Sequence, residues 1–182
     1  MNIFYLSHDV KECAQFHNSK HVIKMILEYS QLLSTAHRIL DNGCLSQELD
    51  AKLYKLTHKN HPSAIWVRQS ISNYMWLSHL LVELCKEYTY RYGKVHKCER
   101  DGLVDVLLNT VPNNISNNPF TEPTPAMPDD VKVKGNSIAS YRNYYVKNKQ
   151  HLAKWSGKIN NRDIPNWYTF LNNERGIINA SI

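Results

Sequence analysis

No apolar run in the 182 residues approaches the roughly 18 that a membrane span needs, and the mean hydropathy is −0.50. No membrane partner is expected. The four cysteines, Cys13, Cys44, Cys85 and Cys98, share no CxxC spacing, so neither a redox motif nor a zinc ribbon is written here. Reduced thiols are the simplest expectation. No basic stretch precedes the short apolar run Met1 to Leu6, which excludes a secretory leader and points to the cytoplasm. Repeats are absent, and no convincing strand is visible except over Met1 to Leu6. The 42% apolar and 21% charged residues exclude wholesale disorder, and the length suits one domain.

The charge is concentrated in one place. The formal net charge is +6 and the sequence pI about 9.1. Nine Lys and Arg lie between Lys132 and Arg175 against only Asp163 and Glu174, so this segment carries +7 and the remainder −1. A basic C-terminal segment suits a polyanion, and DNA is the expected partner.

Apolar periodicity places the helices. Asp9-Val10-Lys11-Glu12 is a capping box, and helical spacing then runs unbroken to Asn42-Gly43, predicting a first helix over about 9–40. A short helix over 46–56 and a loop through His58 to Ser63 follow. A third helix is expected over about 63–92, ended by Gly93. Helices of about 30 residues would be near 45 Å long, so both are expected to kink or fray. A shorter helix is expected over 99–109. Residues 112–130 then hold five of the seven prolines. That composition predicts an ordered strap pinned by Phe120 and Met127, the alternative being a mobile lid. A basic helix over about 137–155 and a short helix opening at Pro165 complete the chain. The fold class is all-α, a single compact domain of two long helices and three or four shorter ones. Residues 1–110 form the body, 111–134 the strap and 135–182 a basic, aromatic segment.

Cys13, His17, His21, Lys24 and Glu28 fall at helical spacing and are expected on one face. His17 and His21 could share a zinc ion at i, i+4. The Glu of H-E-x-x-H is missing and no third ligand is identifiable, so no metal and no cofactor are expected. Rings and charges alternate over Tyr141 to Tyr168, a composition that neutralises phosphates and stacks on bases.

Three places resemble the small all-helical pyrimidine-dimer DNA glycosylases with apurinic lyase activity, of phage and viral type. Val10-Lys11-Glu12-Cys13-Ala14-Gln15-Phe16-His17 resembles their opening helix, which follows a short extended N-terminus. His61-Pro62, with a long aromatic helix ending Glu87-Tyr88-x-Tyr90-Arg91-Tyr92-Gly93, is similar to their His-Pro element and the helix after it. Pro165-Asn166-Trp167-Tyr168 resembles their Pro-x-Trp-Tyr segment, which helps hold DNA. The opening is also similar to that of uncharacterised phage proteins, for which the location would be the host cytoplasm.

The resemblance implies an amine nucleophile that attacks the sugar C1′ and forms a Schiff base. In the family that amine belongs to a small residue exposed by methionine removal. Here Asn2 is large, so Met1 is expected to stay. The family's catalytic glutamate falls at Lys24, with Glu28 one turn later. On this reading Glu28 is the acid/base, Met1 or a desolvated Lys24 the nucleophile, and His17, His21 and His61 line the site. Arg91, Lys97, Arg142, Tyr145, Lys149, Trp155, Arg162 and Trp167 bind DNA. The expected function is that of a DNA-acting enzyme working on a flipped or damaged base. Two alternatives stand beside it: a non-catalytic phage or viral accessory protein that binds nucleic acid or a host protein, and a nucleotide-processing enzyme for modified bases.

Overall fold

A computed structural model describes residues 1–179, with side chains described through Glu174; Arg175 of the basic segment lies outside those described side chains. The fold is all-helical. Among the described residues nine α-helices occur: α1 (Val10–Phe16), α2 (Ser19–Leu40), α3 (Gln47–Lys52), α4 (Pro62–Val67), α5 (Ile71–Tyr92), α6 (Lys97–Arg100), α7 (Leu103–Asn109), α8 (Ser137–Asn148) and α9 (Asn166–Asn179). None is long and apolar enough to cross a membrane.

Each long helix expected from periodicity is broken by a local cap. The first ends at Phe16, because Asn18 takes an extended conformation and its side chain accepts the His21 N–H to start α2. The third divides at Ser70, whose hydroxyl caps Asn73 and starts α5. Asn and Ser offer their own acceptor to free amides, so they restart a helix without disturbing the apolar stripe. Gly102, at φ +77°, divides the helix expected over 99–109. Gly93, at φ +65°, ends α5 as expected. The basic helix stops at Asn148 rather than at residue 155, giving way to a 3-10 turn over Gln150–Leu152.

α2 and α5 form the centre, with α1 packed on α5, α4 and α7 beside them, and α8 against α9. The core is aromatic as well as aliphatic: Tyr5, Tyr29, Trp66, Tyr74, Tyr141 and Tyr145 are all buried. Residues 1–6, where the sequence leaves room for a strand, form none.

The proline-rich segment is a strap, stitched along its length. Asp41 Oδ1 accepts the Asn113 amide at 2.9 Å, and Ser116 accepts the Ile71 amide at 2.8 Å. Asn73, buried on α5, donates to Thr121 Oγ1 and to the Trp66 carbonyl, while its oxygen accepts the Thr121 amide. Further on, the Ser137 and Tyr141 hydroxyls donate to the Pro123 and Thr124 carbonyls. Phe120, though its outer side is exposed, meets Trp66 edge-on and Trp76 and Tyr5 at a tilt, and Met127 is buried. Prolines leave fewer amides to satisfy; those of Asn113 and Asn114 are accepted by Asp41 and that of Thr121 by Asn73, while α8 hydroxyls donate to the strap's carbonyls.

Candidate active site

The N-terminal segment is threaded between α2 and α8. Ile3, Phe4, Tyr5 and Leu6 are buried. Phe4 N–H donates to the Tyr29 hydroxyl at 3.1 Å, and the Leu6 carbonyl accepts Arg142 Nε and Nη2 at 3.0 and 2.7 Å. Cys13 adds a thiol that donates to the Phe4 carbonyl and accepts the Leu6 amide. Anchored at these points, the segment delivers Met1 to the middle of α2. There its α-amine lies 3.7 Å from Glu28 Oε2, while Lys24 Nζ approaches Glu28 Oε1 at 3.1 Å.

These groups border a cavity of about 270 Å³. Met1, Asn2 and Phe4 supply one wall and His21, Lys24 and Glu28 of α2 another. Tyr144 and Lys149 close it from α8, and Ala126 of the strap completes the lining. Lys149 Nζ sits 4.9 Å from the Tyr144 ring centroid. Three amine groups and one carboxylate thus line the cavity, two of the amines beside Glu28, which favours an anionic ligand while keeping a base in reach. The Met1 side chain is only 6% exposed and its residue half-buried, whereas the Lys24 side chain is 60% exposed. The desolvation that a lysine nucleophile needs is therefore missing at Lys24, and Met1 is the better placed amine.

The three histidines separate into different roles. His17 is fully buried as the C-cap of α1. Its Nδ1–H donates to the Cys13 carbonyl at 2.7 Å, and its Nε2 accepts the Tyr29 hydroxyl at 2.9 Å. Both ring nitrogens are occupied, so His17 positions Tyr29 and, through it, the Phe4 amide; it does not line the cavity. Nor do His17 and His21 share a helix face, since α1 ends between them. Among the described residues no three His, Cys, Asp or Glu side chains converge as a metal site would require. His21 does line the cavity, stacked on Phe4 at 4.1 Å. His61 caps α4 through Nδ1 and stands near the Met1 amine and Glu28. Its pKa is lowered by partial burial first and then by the amine, with Glu28 opposing.

Burial pushes the His17 pKa down to about 4, against a small upward pull from its bond to Cys13. Above about pH 7 the imidazole is neutral in folded and unfolded chain alike, and stability is full. As pH falls from 6.5 toward 4, the unfolded chain takes up a proton that the folded chain refuses. Stability then drops, by about 3 kcal/mol for this group by pH 4, and flattens below. His21 and His37, both lowered chiefly by burial, act in the same direction. Urea titrations at pH 7.5, 5.5 and 4.5 should show the midpoint falling at each step; an unchanged midpoint contradicts the assignment.

The residues expected to bind DNA divide by exposure. Arg91, Tyr145 and Trp155 are buried and serve the fold instead. Arg91 donates to Glu87 at 2.6 Å and to the Gln15 carbonyl, and Trp155 Nε1 donates to the Phe16 carbonyl. Tyr and Trp in a basic segment look alike from sequence whether they face water or core; here the Trp155 N–H found a backbone carbonyl and the Tyr145 hydroxyl the His21 ring inside. Arg162 is half-tied, bonded to Glu87 and lying 4.0 Å over the Tyr90 ring. The Arg142 guanidinium sits between the Phe16 and Trp167 rings and holds Leu6, so it positions the N-terminal segment. Trp167 is half-buried beside it. Lys97 is exposed on α6, 4.0 Å from Asp101 and away from the cavity lining. Lys149 alone of the eight lines the cavity.

Sequence reasoning missed Tyr29, Tyr144, Phe4 and Asn18. Tyr29 stands in the apolar stripe of α2, where a ring reads as core. Phe4 stacks on His21 across a chain reversal that leaves no local signal. Three larger clefts occur among the described residues: two, of about 400 and 470 Å³, flank α3, and one of about 300 Å³ lies between α8 and α9. The first includes Arg38, which is already taken by Asp50 and the Tyr54 and Leu53 carbonyls. A smaller cleft of about 160 Å³ also gathers opposite charges, but there Glu87 is tied to Arg91 and Arg162 and Glu83 to Lys86. The cavity at Met1 is set apart by an α-amine and an imidazole lining it together with a carboxylate. Comparison with family models, with curated proteins and with solved structures returns no match.

Proposed function

We propose that the protein is a DNA-acting enzyme of the glycosylase/lyase type, which takes a flipped or damaged nucleoside into the Met1–Glu28 cavity and works at C1′ of its sugar. The observation that carries this reading is the α-amine set 3.7 Å from a carboxylate at a cation-lined cavity. An amine and a carboxylate at one carbon are what imine chemistry needs. With an abasic sugar, the amine lone pair attacks the C1′ aldehyde and the carbinolamine loses water to give an iminium. Glu28 takes a proton from C2′, and the electrons of that C–H bond expel the 3′-phosphate.

The approach to the cavity supports a duplex partner. Lys20 and Lys24 are exposed on α2 beside exposed Ile23 and Leu27, and the Ser19 amide and hydroxyl bond the Lys154 carbonyl, which brings Lys154 to the same edge. Lysines of this kind neutralise phosphates, and an apolar pair can wedge a base step. Reversing Lys149 and Lys154 to Glu should weaken duplex binding at least ten-fold on every sequence and lower the salt slope by about 2. An unaffected affinity would remove DNA as the partner of this face. Cleavage of a duplex bearing one abasic site tests the reaction, and duplex binding without turnover favours the accessory-protein alternative.

A further inference from the structure

His21 has one ring nitrogen whose proton state is fixed by its neighbours. The Asn18 side-chain oxygen accepts the His21 backbone amide at 2.9 Å as the cap of α2, which orients the Asn18 amide. Its Nδ2 then faces His21 Nδ1 at 3.3 Å and can only donate. The Tyr145 hydroxyl lies 2.6 Å from the same nitrogen. Since the Asn18 side-chain amide already donates to Nδ1, that nitrogen carries no hydrogen, and the proton between it and the hydroxyl is the hydroxyl's own. Two donors converge on Nδ1, and Nδ1 is therefore the acceptor. The hydrogen of a neutral imidazole must then sit on Nε2.

Nε2 has no acceptor among the described residues and is not sealed from solvent. The ring is stacked on Phe4 at 4.1 Å with an interplanar angle of 19°, and it lines the cavity that holds Met1, Lys24, Glu28 and Lys149. We infer that His21 presents Nε2–H as a fixed, uncharged hydrogen-bond donor to an acceptor oxygen of the bound substrate, and takes no part in proton transfer. The inference rests on the reading of this cavity as the substrate site, and adds to it what the site recognises: a carbonyl, ring or hydroxyl oxygen at that position rather than an amino group.

The surroundings keep the donor neutral. Burial opposes a second proton most strongly, and His17, Lys149, Lys24 and His151 oppose it further, pushing the His21 pKa down to about 2. Glu28 and the Met1 amine face the same cavity from α2 and the N-terminal segment, and Tyr145 faces the ring from α8. A neutral imidazole of set tautomer needs no reorganisation when charge develops on the oxygen it meets, which is the condition for strong transition-state stabilisation.

The test uses full-length protein with ¹⁵N-labelled histidine. Long-range ¹H–¹⁵N spectra should show His21 as the Nε2–H tautomer, unchanged from pH 8 to pH 5. Tyr145→Phe, which removes one donor, should loosen that tautomer. Addition of a duplex carrying a tetrahydrofuran abasic analogue should shift the Nε2–H resonance. In strand cleavage, His21→Gln keeps an N–H and should stay within about ten-fold, whereas His21→Leu should lose about 10²-fold or more. An Nδ1–H tautomer, or titration between pH 8 and 5, overturns the inference. So does a duplex that binds without moving Nε2–H, and in that case the DNA reading stands. A duplex that does not bind at all overturns both, and the spectra of the free protein tell the two failures apart.

Discussion

Glu28→Gln is expected to lower abasic-site cleavage by about 10²- to 10⁴-fold, the range for loss of a general base. Duplex affinity and fold should be preserved. Glutamine keeps the shape, and the carboxylate is only partly buried, paired with an exposed lysine and the chain's amine rather than locked in the core. Ion pairs in such settings contribute up to about 1 kcal/mol. Cleavage kinetics and thermal unfolding on one preparation decide the matter. If Glu28 is structural the ranking reverses: stability falls and residual activity tracks the folded fraction.

The largest effect on stability is expected at the other end of the molecule. Glu87, 4% exposed, is shared by Arg91 on its own helix and Arg162 from the C-terminal segment. Arg91 is fully buried, and its Nη1 has no partner. Glu87→Ala leaves that charge in the core with nothing opposite, which costs about 3–5 kcal/mol and on the order of 10 °C in Tm for a chain of this size. Arg162→Ala should cost only about 1 kcal/mol, because Arg162 keeps 30% of its side chain in water. The same contact ties down the segment that follows α8. Ile159 N–H donates to the Arg91 carbonyl at 2.9 Å, and a Cβ on Gly157 would meet that carbonyl at 2.3 Å, so only glycine fits there. Equal effects of the two variants in denaturant titrations would contradict this account.

The helical class, the strap and the neighbouring of Lys24 and Glu28 were legible in the sequence because each rests on local information, whereas Met1 was singled out only by the family resemblance. Periodicity marks buried faces, prolines mark extended backbone, and an i, i+4 spacing marks neighbours on a helix. The breaks at Asn18 and Ser70 were less legible, because the apolar stripe continues through both caps and hides them. Separation of His17 from the cavity follows from the first break. Burial of Arg91, Tyr145 and Trp155 was not legible at all, since it depends on partners as distant as Gln15, His21 and Phe16. Charge and aromatic content identify a segment that suits a polyanion; which of its side chains reach water is decided by tertiary packing.

The account turns on one bond, the imine between the Met1 amine and C1′ of the sugar. Borohydride reduction in the presence of a duplex with a single abasic site converts that imine to a stable secondary amine, and peptide mass mapping locates it. The account predicts a covalent protein–DNA adduct on the α-amine of Met1, abolished when that amine is acetylated. A crosslink confined to Lys24 or another lysine, or no adduct on a duplex that is bound, would contradict it.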